Sequence, residues 1–129
     1  ALARAVTAYQ LEPNDVGAAF QLGVLAYQLE RKDVARVALE RAVSLRENYS
    51  NARYFLGLIY DEANAKELAL QQFTRIQELN PTNAEVAKIL ENIRTGKKAL
   101  DGITPPPEER DAPPIAEDGA STNTTAPTQ

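Results

Sequence analysis

No cysteine, histidine, methionine or tryptophan occurs among the 129 residues. Their absence removes disulfides, thiolate nucleophiles, imidazole acid–base chemistry and the usual zinc and transition-metal ligands. Any catalysis would fall to carboxylates, Lys or Tyr, and the adjacent pairs Asp61-Glu62 and Glu108-Glu109 read as solvated charges, so the chain reads as non-catalytic with no metal and no cofactor. Missing cysteine is silent about redox compartment. No apolar run approaches the roughly 20 residues of a membrane span. The chain opens on Ala1, not Met, which reads as a processed product or a fragment boundary.

Proline is scarce until the end. Six of the eight prolines follow Leu100, in a stretch with no aromatic residue and only Ile103 and Ile115 as large aliphatics. Such a stretch cannot bury a core of its own. Charge divides at the same place: residues 1–100 carry 13 basic and 12 acidic side chains, residues 101–129 one basic and six acidic. A near-neutral body with an acidic tail gives no reason to bind phosphate backbones, so nucleic acid is excluded as a partner. The organisation read from this is a helical domain over 1–100 and a Pro/Thr-rich acidic extended tail over 101–129.

A period of 34 runs through the body. Leu22-Gly23 recurs as Leu56-Gly57; Ala1, Ala35 and Ala69 share a column, as do Ala8, Ala42 and Ile76, and Pro13, Glu47 and Pro81. Within each period two helical patterns alternate. The first, over 18–29 and 52–62, is apolar nearly all round. The second, over 33–45 and 66–79, is apolar on one face. Gly23 and Gly57, facing Ala35, Ala42 and Ala69, let paired helices approach closely, Pro13 and Pro81 punctuate the turns, and Thr82 to Glu85 reads as a capping box for a last helix.

Leu-Gly, Tyr60 three residues after Gly57, and then Ala69, Phe73 and Pro81 resemble the tetratricopeptide repeat. The resemblance covers Ala1 to about Gly96 and implies an all-α solenoid, a right-handed superhelix of antiparallel helix pairs whose first helices line a concave groove for an extended peptide. Departures are Glu47 for the expected proline, Ala26 for a common aromatic and Glu91 for the packing glycine. The same resemblance places Phe20, Val24, Tyr27, Tyr54 and Leu58 on the groove, while Tyr9, Phe55, Tyr60 and Phe73 read as core. The basic clamp by which some members hold acidic C-termini is missing, because its columns hold Phe20, Val24, Phe55 and Glu85 with only Lys88 nearby. An apolar, aromatic groove suits a stiff proline-containing segment, and residues 102–107 and 112–115 of the tail are one.

Counting phase gives half a repeat, two full repeats and another half. Repeats bury their faces only against neighbours, and two readings follow. In one, copies of the chain self-associate head to tail into a polymer, Ala1, Ala5 and Ala8 of the first helix meeting Val86, Ile89, Leu90 and Ile93 of the last, with the tail packing on its own or a neighbouring copy. In the other, the chain is the terminal interaction module of a larger protein and its groove binds a client peptide. Asn48-Tyr49-Ser50 and Asn123-Thr124-Thr125 match the glycosylation acceptor pattern, and with the Ser/Thr/Pro-rich end they favour an extracellular or cell-surface setting over the cytoplasm.

Overall fold

The computed structural model describes residues 1–116. Six helices follow one another: α1 (Leu2–Leu11), α2 (Val16–Gln28), α3 (Lys32–Leu45), α4 (Ser50–Glu62), α5 (Lys66–Leu79) and α6 (Ala84–Arg94), then a single 3-10 turn at Pro107–Glu109. They pack as antiparallel pairs, α2 most extensively on α3 and α4 on α5. Among the described residues, no helix is long and apolar enough to cross a membrane.

Local chemistry sets these boundaries. The Asp15 carboxylate accepts the amides of Gly17 (2.9 Å) and Ala18 (3.3 Å) and so caps α2, while Asn83 Oδ1 accepts the Val86 amide at 3.0 Å to cap α6. The cap of α6 is thus Asn83 and not Thr82, a correction of one residue to the sequence expectation. An Asx side chain in the extended backbone conformation reaches the free amides of the first turn directly.

At their C-termini the three first-type helices repeat one device. Arg31 donates its amide to the Ala26 carbonyl, Ala65 to Tyr60 and Lys97 to Asn92, each at 2.8 Å, and the residue before each donor has a positive φ: Glu30 at 62°, Asn64 at 61° and Gly96 at 87°. This is the left-handed helix terminator. Glu30 and Asn64 keep the 34-residue spacing, but Gly96 comes two residues before the next position in that register. Stopping early, α6 redirects the chain: residues 97–103 turn back, and no second-type helix follows among the described residues.

Complementary sizes hold each pair together. A Cβ on Gly23 would stand 2.5 Å from Leu39 Cγ, and one on Gly57 2.6 Å from Phe73 Cε2. Each glycine therefore receives a large side chain from its partner helix, with Ala35, Ala42 and Ala69 buried around the crossing. Where proline is missing at Glu47, Arg53 Nε donates to the Glu47 carbonyl at 2.8 Å and ties the turn to α4. Arg41 and Arg75, also 34 apart, bind the preceding turns through Asn14 and Asn48.

The two ends of the stack differ. In α3 and α5 the columns of Ala35, Ala42, Ala69 and Ile76 are fully buried, whereas in α1 Ala1 and Ala8 are exposed and Ala5 is half-buried. Val86, Ile89, Leu90 and Ile93 of α6, expected to form an uncovered stripe, are at most 2% exposed within a single copy. Helix α6 packs against α5, and the polypeptide after it is tied to Asn92 beside that stripe. Asn92 Nδ2 donates to the carbonyls of Ala99 (3.0 Å) and Asp101 (2.9 Å), Ala99 joins the core, and Leu100 and Ile103 pack against it. The side of α6 left to solvent carries Lys88, Glu91 and Arg94, a polar cap.

Candidate functional site

The groove is built from four helical positions that recur every 34 residues along the first-type helices. In α2 they are Gly17, Phe20, Val24 and Tyr27; in α4 Asn51, Tyr54, Leu58 and Asp61; in α6 Glu85, Lys88 and Asn92, with Thr95 at its C-cap. Their spacing of three, four and three residues puts them on one face of each helix.

Residues 99–115 run down that face, against the direction of α4 and α6. At the top, the Asp61 carboxylate accepts the Ala99 amide at 3.0 Å while Asn92 holds two carbonyls. Gly102 lies beside Lys88, whose Cε is 3.9 Å from where a Cβ would stand. Lower down, Arg110 forms an ion pair with Glu85 at 2.9 Å, and Glu85 also accepts the Tyr54 hydroxyl. Arg110 Nε closes back on the Pro105 carbonyl at 3.0 Å, fixing the turn. At the bottom, the Asn51 carboxamide meets the backbone of Ile115 twice, donating to its carbonyl at 2.8 Å and accepting its amide at 2.9 Å.

Apolar contact fills the space between these polar ties. Phe20, Val24, Gln28 and Phe55 face Pro107, Pro113 and Pro114 across a cleft of about 210 Å³. Below it lies an aromatic stack, with Phe20 4.7 Å from Tyr49, and Phe55 5.4 Å from Tyr27 and 5.7 Å from Tyr54, centroid to centroid. The backbone is extended on both sides of the 3-10 turn, with φ −64° and ψ 155° at Pro106 and φ −97° and ψ 147° at Arg110. Pro107 and Ile115 are buried, although the flanking tail residues are mostly exposed.

Burial and hydrogen bonding shift two tyrosines. Tyr54 is raised far above its ordinary value, first by burial, then by the hydrogen bond to Glu85 and that carboxylate's charge, with Arg110 opposing. Tyr60, outside the groove, donates to Glu40 at 2.6 Å and is pushed up to about 12 by burial and then by that bond.

Of the five residues expected on the groove, Phe20 and Val24 line the cleft. Tyr27, Tyr54 and Leu58 lie in the core beneath, Tyr54 reaching the tail through Glu85. Phe55, expected as core alone, also forms cleft wall. Asn51 was missed by sequence reasoning, and Glu85 was read only as part of a capping box and as a departure from the basic clamp, yet the two share a repeat column and supply two of the polar ties. The acceptor triad at Asn48 is folded into the turn between α3 and α4, with the Asn48 carboxamide accepting from Arg75 at 2.8 Å and Ser50 buried. Asn123 lies outside the described residues.

Residues 16–49 and 50–83 each match the tetratricopeptide repeat, and together they make up more than half of the chain. The chain belongs to the tetratricopeptide repeat family. Each matched unit is one helix pair, α2 with α3 and α4 with α5, so α1 and α6 flank two complete tetratricopeptide repeats. No curated protein matches the chain. As a tetratricopeptide repeat protein it is a protein–protein interaction module, and proteins are the partners that this family membership indicates.

Proposed function

We propose that the concave groove is the peptide-binding face of this module and that residues 99–115 are its resident occupant, held where an extended client segment docks. One observation carries the reading: Asn51 reads backbone, both N–H and C=O of a single residue, as a groove must when its ligand is an extended chain. Around that fork the cleft offers Phe20, Val24 and Phe55 to prolines, whose fixed φ leaves little entropy to lose on docking. Head-to-tail self-association has less support, because the α6 stripe assigned to it is internal to one copy; only the Ala1 and Ala8 face of α1 is open.

Titration calorimetry tests this reading. In the full chain carrying Arg110→Glu and Ile115→Asp, the resident segment loses its ion pair and its buried aliphatic. A synthetic peptide of residues 103–116 should then bind with one-to-one stoichiometry, and Asn51→Ala in the same chain should abolish that binding. If the peptide does not bind the doubly substituted chain, the groove is not a peptide-binding face and the segment is only a structural strap.

A further inference from the structure

We infer that the client of this groove is a protein segment carrying a cation five residues before an aliphatic residue that follows two prolines, and that Glu85 selects it by charge. The inference rests on the peptide-binding reading and specifies the partner. Residues 101–129 hold six acidic side chains and one basic one, so bulk attraction to a near-neutral body does not place the tail. Its sole cation, Arg110, is nevertheless the residue set on Glu85 at 2.9 Å, with both side chains mostly buried. Five residues later Ile115, preceded by Pro113 and Pro114, is 1% exposed while its backbone is held by Asn51.

Glu85 and Asn51 occupy the same column of successive repeats. The repeat spacing between α4 and α6 therefore sets the distance at which cation and aliphatic must be presented. An anionic residue at the position of Arg110 would place two carboxylates together in a partly desolvated site, which excludes it more strongly than losing an attraction would. Acidic C-termini are thus the wrong ligands for this groove, and the resident segment is a competitor that any client must displace. Being tethered, that segment competes at an effective concentration in the millimolar range.

Fluorescence anisotropy with labelled peptides tests the assignment. The peptide of residues 103–116 should bind the Arg110→Glu, Ile115→Asp chain roughly tenfold or more tighter than wild type, whose groove is filled. On that receptor, the same peptide carrying Arg110→Glu should lose roughly tenfold or more in affinity. Adding Glu85→Gln to the receptor, which keeps an acceptor for Tyr54, should remove the discrimination between the two peptides. A receptor with Arg110→Glu alone serves if the double substitution lowers helical content. Equal binding of both peptides to the Glu85 receptor overturns the charge selection while leaving the groove a peptide site. Binding of the unaltered peptide to wild type as tight as to the released chain overturns the competition. No binding anywhere overturns the peptide-site reading with it.

Discussion

Asn51 and Ile115, 64 residues apart in sequence, exchange a pair of hydrogen bonds of 2.8 and 2.9 Å between one carboxamide and one residue's backbone. Both groups are buried. Asn51→Ala leaves the Ile115 amide and carbonyl without these partners, at a cost of about 1–3 kcal/mol if they stay buried, which is enough to release the lower tail. Amide exchange by NMR should show Ile115 losing protection while amides of the α4–α5 crossing keep theirs. Unchanged protection at Ile115 would mean that its burial, and not Asn51, holds the segment.

The helix crossings make a second prediction. Gly57→Ala puts a methyl group 2.6 Å from the Phe73 ring, and overpacking of this kind costs about 1–3 kcal/mol. Trimming the opposing side chain in the double variant Gly57→Ala, Phe73→Leu should recover part of the loss, a coupling readable in a double-mutant cycle by urea denaturation. Strict additivity of the two substitutions would show that glycine and phenylalanine are not opposed.

The crossings were also the legible part of the sequence. A 34-residue recurrence of Leu-Gly against small and large partner columns fixes the pairs, because each helix can bury its apolar face in only one register. Phe20 and Val24 could be placed on the groove only through the resemblance to the tetratricopeptide repeat. Asn51 could not, since an asparagine near a helix start reads as local chemistry; its signal was being polar at a column of an otherwise apolar helix, 34 residues before Glu85. The last helix was the misleading part. With no second-type helix after it, its stripe of Val86, Ile89, Leu90 and Ile93 suggested a polymer, whereas all four are at most 2% exposed within one copy.

Tyr60 gives a prediction about pH. Its value in the folded chain is about 12 against 10.0 for free tyrosine, so the unfolded chain ionises first as pH rises. The stability that this group contributes is fully present below pH 10 and is lost as pH climbs from there to about 12. Tyrosinate absorbance should show a late step near 12 that disappears in Tyr60→Phe, and Glu40→Gln should move the step down. A Tyr60 that titrates with the exposed phenols would show that the contact with Glu40 does not form.

Whether copies of the chain assemble through their ends can be decided with two glutamates that behave differently. Ile93 is 2% exposed among core residues, and Ile93→Glu buries an unpaired charge at a cost on the order of 4 kcal/mol, so it should unfold or loosen the monomer itself. Ala5 is half-buried on a helix with no buried residue, and Ala5→Glu should leave the melting midpoint within a few degrees of wild type. Light scattering across a concentration series then separates the alternatives. If wild type is monomeric throughout and Ala5→Glu matches it, α1 is an uncovered end and the groove is the only docking face argued from this fold. If wild type forms larger species that Ala5→Glu disperses while its helices stay folded, the α1 face is an interface between copies, and its counterpart must be sought somewhere other than the buried stripe of α6.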